Sequence, residues 1–203
     1  MTLINIIGKR ASGKTTFIAE HVKRSNYSTV IYVSPLIHCS EFFKQCCDII
    51  NVTAIPFDML ADTLKSPTLL KENLVIIFDD VLINTNIREI SKLALPEKTT
   101  IIMTNQSPIM TPAHKYLLSK FKEDNFTIIL GRINNKSDRD SLCASLNFVD
   151  VEKLKHNISI LKPYDIVLIE HNSTIIYSYP HNEYITAKYD SINRLFKIEN
   201  RTS

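Results

Sequence analysis

Short runs of Ile, Val, Leu and Phe recur along the chain, and the stretches between them place their apolar residues at helical spacing. Leu3–Ile7, Thr29–Val33, Leu74–Phe78, Thr100–Thr104, Phe126–Leu130, Ile166–Glu170 and Thr174–Ser178 are of strand length. Most are nearly continuous in apolar character, as strands covered on both faces are. Helices are predicted over Thr15–Ser25, Glu41–Cys47, Phe57–Leu64, Ile87–Leu93, Ala113–Lys122, Asp138–Leu146 and Val151–Asn157, several with Ser, Thr, Asn or Pro near their starts. Strands alternating with helices specify an α/β fold, a mostly parallel sheet with helices on both faces. The last two strands are joined by His171-Asn172-Ser173, which suits a hairpin better than a crossover helix, so the sheet is expected to end in an antiparallel pair. Beyond residue 180, Ile192, Leu195, Phe196 and Ile198 form an apolar stripe in a polar tail, read as a helix docking on the chain's own sheet.

A length of 203 residues suits one core, so residues 1–203 are expected to form one domain, 1–180 its core and 181–203 a tail. With 44% hydrophobic and 22% charged residues and no long apolar run, no membrane span is expected. The short run Leu3–Ile7 leads into Gly8 rather than a cleavage site, so a non-secreted protein is expected. Cys39, Cys46, Cys47 and Cys143 lack CxxC pairing and read as reduced thiols. A net charge of +3 leaves the partner open.

The chemistry begins where the first strand ends. Gly8-Lys9-Arg10-Ala11-Ser12-Gly13-Lys14-Thr15 matches GxxxxGK[ST] between a strand and a helix that continues through Thr16. Successive backbone N–H groups and the positive end of the helix hold phosphate oxygens, which requires a backbone free of obstructing β-carbons. Gly8 and Gly13, two of the chain's three glycines, occupy the two required positions. Lys14 supplies a point charge for the β- and γ-phosphates, and the Thr15 hydroxyl is a hard ligand suited to Mg²⁺. ATP with Mg²⁺ is the expected ligand pair.

The strand Leu74–Phe78 ends in Asp79-Asp80, which puts two carboxylates at the carboxyl end of a buried strand, where parallel sheets bind ligands. Asp79 is expected to hold Mg²⁺ through its water shell and Asp80 to orient or deprotonate the attacking water. Thr100–Thr104 runs into Asn105-Gln106-Ser107, bringing an amide to the same edge. An amide donates and accepts, so Gln106 or Asn105 suits a bridge between γ-phosphate and water, provided this strand lies between those of Gly8 and Asp79.

Taken in order, GKRASGKT, LVIIFDDV and TTIIMTNQS resemble the FtsK/HerA superfamily of additional-strand, RecA/FtsK-like P-loop NTPases. Within it they are most similar to the small DNA-packaging ATPases of poxviruses and other large DNA viruses. PAHKYLLSKF, DSLCASL and DIVLIE extend the resemblance more weakly over most of the chain. It implies an ATPase that assembles as a homo-oligomeric ring and drives double-stranded viral DNA into a capsid. Capsid or portal-vertex proteins are then possible partners, and the host cytoplasm or the virion is the location. It makes Asp80, often Glu in cellular relatives, the catalytic carboxylate beside Lys14 and Gln106. Two departures stand out. Leu95-Pro96-Glu97-Lys98 replaces the family's Arg-His pair, and His114-Lys115 stands where an arginine follows the glutamine segment. Arg132, after a strand at the catalytic edge, is the first candidate for the missing arginine finger, with Arg139 and Arg88 behind it. The alternative function is a small nucleoside or nucleotide kinase, which needs an acceptor pocket and an Arg-rich lid; arginine is sparse in the middle of this chain.

Overall fold

The computed structural model describes residues 1–34, 52–66, 73–81, 88, 92–95, 97–107, 110–121, 125–131, 133–146, 151–161, 166–170 and 173–177. The chain runs β1 (Thr2–Gly8), α1 (Lys14–Arg24), β2 (Thr29–Val33), β3 (Val52–Ile55), α2 (Phe57–Thr63), β4 (Leu74–Phe78) and β5 (Thr99–Asn105). It continues through α3 (Pro112–Lys120), β6 (Asn125–Leu130), α4 (Lys136–Leu146), α5 (Val151–Ile160), β7 (Ile166–Glu170) and β8 (Ser173–Tyr177). Every predicted strand is present to within a residue at either end. The short β3 is additional. The predicted helix Glu41–Cys47 and the stripe from Ile192 to Ile198 lie outside the described residues. Of the predicted helix Ile87–Leu93, Arg88 is helical, whereas Lys92 lies in a turn and Leu93 has left the helix.

Among the described residues, eight strands form one sheet in the order β3-β2-β4-β5-β1-β6-β7-β8. The pairs from β3 to β6 are parallel, and β7 and β8 close the sheet antiparallel, as the hairpin spacing predicts. The strand β5 lies between β1 and β4, so the glutamine strand separates the loop strand from the acidic strand. In register, Ile7 of β1 faces Asn105 of β5, and Phe78 of β4 faces Met103.

The period-2 alternation of side chains divides the core into two layers. Ile4 and Ile6 of β1, Val30 and Tyr32 of β2, Val75 and Ile77 of β4, and Ile102 of β5 pack with Phe17, Ile18, Ala19 and Val22 of α1. Leu3, Ile7, Ile31, Val33, Ile76, Phe78, Ile101 and Met103 form the opposite layer with Leu60, Leu117, Leu142, Leu154 and Ile158 from the other helices. Each such fully buried Leu, Ile or Phe side chain contributes about 1.5–3 kcal/mol relative to exposure. Of the cysteines, Cys143 is a buried free thiol in this second layer.

Candidate nucleotide-hydrolysis site

One sheet face gathers the chemistry. Along β4, Val75 and Ile77 point to the α1 side and Asp79 continues their alternation; along β5, Ile102 points the same way and Thr104 follows; on β2 so does Tyr32. Three polar side chains from adjacent strands therefore meet at the carboxyl edge, beside the start of α1. The Tyr32 hydroxyl donates to Asp79 Oδ2 in a short hydrogen bond. Thr104 Oγ1 donates to Asp79 Oδ1 at 2.8 Å, lies 3.3 Å from Asp80 Oδ1, and accepts the Asp80 N–H at 3.0 Å. A hydroxyl has one proton, so its donation favours the nearer Asp79 and leaves Asp80 Oδ1 with spare acceptor capacity. The Gln106 amide Nε2 donates to Asp80 Oδ2, again in a short contact. Asp79 has both oxygens engaged by its neighbours, whereas Asp80 is held at one end by an exposed amide that can move.

The loop faces this cluster. Ala11 and Gly13 have φ of 62° and 88°, the left-handed backbone that turns successive N–H groups into a concave surface. A β-carbon at Gly8 would collide with Ser12 Oγ and come within 3.2 Å of the Leu130 carbonyl, so a larger residue there would displace the Ser12 side chain and crowd β6. Lys14 Nζ donates to the carbonyls of Gly8 at 2.7 Å and Lys9 at 3.1 Å. Burial lowers its pKa, and the charges of Asp80 and Asp79 oppose that shift. These three charged groups thus share one field. Lys9 and Arg10 are exposed, and Thr15 and Thr16 are half-buried at the first turn of α1.

The residues fit a polyphosphate with a hard divalent cation. Ser12 Oγ is buried without a hydrogen-bond partner, an acceptor or donor unused by the protein itself. Gly8 keeps the cradle clear, and Thr15 and Asp79 supply the oxygen donors that Mg²⁺ prefers, the latter suited to contact through water because both its oxygens already accept. Beside the loop lies a cavity of about 290 Å³ between the end of β1, the Gln106-Ser107 turn and the connection from β6 to α4. Ile7, Ile129 and Ile133 line its apolar part, and Asn134, Asn135 and Asp138 its polar part.

The sequence-predicted residues Lys14, Asp79, Asp80 and Gln106 come together at this edge. Asn105, the other amide considered, is buried and its Oδ1 accepts the Ser107 N–H at 3.1 Å, so it shapes the turn that carries Gln106. Arg132 lies outside the described residues. Arg139 Nη1 is tied to the carbonyls of Ile133 and Asn134 at 2.9 and 2.8 Å, which holds it against the segment just before α4 of its own chain. Arg88 is exposed. Sequence reasoning missed Tyr32 and Thr104. Both break runs of purely aliphatic residues near a strand's carboxyl end, the signal that was there to read.

No family model matches the chain, and no curated protein matches it by sequence. Among solved structures it is similar to the genome packaging NTPase B204 from Sulfolobus turreted icosahedral virus 2 in complex with AMPPCP. The two share 13% identity at a TM-score of 0.63, over 88% of this chain and 98% of that one. The likeness shows a common α/β fold, that of a P-loop NTPase.

Proposed function

We propose that the chain is an ATP-hydrolysing motor for genome packaging, of the FtsK/HerA type and similar in motif order to the poxvirus enzymes. It works as a homo-oligomeric ring that moves double-stranded viral DNA into a capsid and meets capsid or portal-vertex proteins there. The carrying observation is the chain of contacts from Tyr32 through Asp79, Thr104 and Asp80 to Gln106, set opposite Lys14 across an interposed strand. The similarity to a packaging NTPase bound to an ATP analogue supports the same reading.

In this mechanism the backbone of Gly8 to Thr16 cradles the phosphates, and Lys14 exchanges its carbonyl partners for the β- and γ-oxygens. Thr15 directly and Asp79 through water would hold Mg²⁺, which would supply positive charge against that developing on those oxygens. Asp80, with spare capacity at Oδ1, takes the proton of the attacking water. Gln106 releases Asp80 Oδ2 to bridge the water and the γ-phosphate, so occupancy of the site is felt at the end of β5. The missing trans-acting arginine is assigned to Arg132. Among described residues, the cavity beside the loop is lined by one cation, Lys9, and by a carboxylate and three amides. That lining disfavours the phosphorylated acceptor of a nucleotide kinase.

The test is steady-state ATP hydrolysis with and without double-stranded DNA. Turnover raised by DNA is the expected result, and no turnover in either condition would falsify the motor. Phosphoryl transfer to a nucleoside or nucleotide would establish the kinase instead.

A further inference from the structure

The cavity beside the loop lies at the carboxyl edge of the sheet on the face opposite α1, since Ile7, Ile129 and Ile133, which line it, belong to the second core layer. Its walls are fixed by the chain itself. Gly131, with φ of 82°, turns the chain out of β6, and Arg139 holds the segment that follows. Its Nη1 donates to the carbonyls of Ile133 and Asn134, and its backbone N–H donates to that of Asn135 at 3.1 Å. On the other side, Asn105 Oδ1 holds the Ser107 N–H and with it the turn that carries Gln106. Within these walls stand Lys9, Gln106, Asn134, Asn135 and Asp138. Among the described residues no hydrogen bond or ion pair engages the Lys9 ammonium, the Asn134 side-chain amide or the Asp138 carboxylate.

Gln106 joins this cavity to the hydrolysis site, for it lines the one and hydrogen-bonds Asp80 in the other. The cavity therefore adjoins the place assigned to the terminal phosphate. Its volume of about 290 Å³ is at the lower limit of the roughly 300–1,000 Å³ usual for pockets that take organic ligands, so it suits a small ion better than a second nucleotide. Ammonium and amide N–H groups donate to ionised oxygens, whereas a carboxylate repels an anion that does not bring it a proton. Inorganic phosphate keeps a hydroxyl at neutral pH; sulfate has none. We propose that the cavity is a weak site for hydrogen phosphate, in which Lys9, Gln106 and Asn134 donate to the ionised oxygens and Asp138 accepts the hydroxyl. The inference rests on the hydrolytic reading for the source of the ion: phosphate cut from ATP passes Gln106 and is held here before it leaves. Lys9, Gln106 and Asn134 are exposed, which gives that ion a way to solvent. One cation beside Ile7, Ile129 and Ile133 holds it loosely, as suits a departing product, whereas an acceptor nucleotide has to be retained until transfer.

The phosphate loop itself attracts phosphate, so the test uses the full chain with ADP and Mg²⁺ occupying the loop. Phosphate and then sulfate are titrated while backbone and side-chain amide resonances are followed by NMR. Phosphate is expected to shift Gly131, Asn134 and Gln106 in one saturable process, and sulfate to bind at least about tenfold more weakly. Asp138→Asn replaces the acceptor with a group that also donates, so sulfate is expected to come within about twofold of phosphate. Asn134→Leu removes one donor and is expected to weaken phosphate about threefold with its preference over sulfate kept. Shifts confined to Gly8–Thr16, equal affinity of wild type for the two anions, or an unchanged preference in Asp138→Asn overturns the proposal. If Asp138→Asn does not fold, the preference of wild type and the loss in Asn134→Leu decide it. The hydrolytic reading fails separately: a chain that binds phosphate in the cavity without turning over ATP keeps the site and loses ATP as its source. A chain that turns over ATP without these shifts loses the site alone.

Discussion

In the proposed mechanism Lys14 and Asp80 act at different stages of one reaction, so their variants separate binding from chemistry. Lys14→Ala removes the charge aimed at the phosphates and is expected to abolish nucleotide binding, read with a fluorescent ATP analogue. Asp80→Asn is expected to bind normally and to lose at least about a hundredfold in single-turnover hydrolysis. Asp80 has φ of 54°, a left-handed backbone that Asp and Asn tolerate and longer side chains less so. Asp80→Glu therefore keeps the charge yet strains the turn, with an expected loss of about 1 kcal/mol in urea unfolding. The backbone, before the chemistry, selects the shorter carboxylate here. At Asp79 the clamp is Tyr32, and Tyr32→Phe frees Oδ2 without altering the ring's packing. Its expected signature is a turnover roughly tenfold lower at limiting Mg²⁺ that recovers as Mg²⁺ is raised. Asp79, Asp80 and Gln106 were legible in the sequence because each follows a predicted strand. Tyr32 and Thr104 were not, because their contacts with Asp79 arise from lateral register between strands, which a single strand's pattern does not encode.

The helix α1 carries a buried histidine, His21, whose burial bears on stability. His21 Nε2 meets the Tyr27 hydroxyl at 3.0 Å, and burial lowers the His21 pKa to about 4. An unfolded chain binds a proton at this side chain near pH 6.5, whereas the folded chain resists it until about pH 4. Stability contributed by the neutral ring is thus full above pH 6.5 and falls as the pH drops through that window. Between pH 7 and pH 5 the expected loss is about 2 kcal/mol, seen as a lower urea midpoint. His21→Gln should flatten this dependence. Among the elements, the central strands were readable because burial on both faces leaves no polar alternation, as in the fully buried Thr29–Val33 and Leu74–Phe78. The edge strand β3 was not, because Val52-Thr53-Ala54-Ile55 is half exposed and too short to carry a pattern. The helix α4 begins two residues before its predicted start because Asn135 Oδ1 accepts the Ser137 N–H at 2.9 Å, a cap hidden in a polar run.

For the whole molecule, the packaging reading predicts that the ring's summed charge, +3 from each chain, meets a polyanion. DNA stimulation of turnover should weaken steeply as salt is raised, and sedimentation in ATP should reveal a species several times the 23.3 kDa chain. A monomer in every nucleotide state would contradict the ring. No helix among the described residues is long and apolar enough to cross a membrane. The sheet order carries one more consequence, for the way the protein is made. The first of these strands to be synthesised, β1, has no early partner among them, because it pairs with β5 and β6, with Thr2 opposite Thr100 and Gly8 opposite Leu130. A nascent chain therefore exposes its phosphate loop on an unpaired strand until about residue 105 has emerged, and on a half-paired one until about residue 130; long-range pairing of this kind is slow. Nucleotide affinity should appear late in translation and all at once, so that ATP rewards only chains whose central strands have closed.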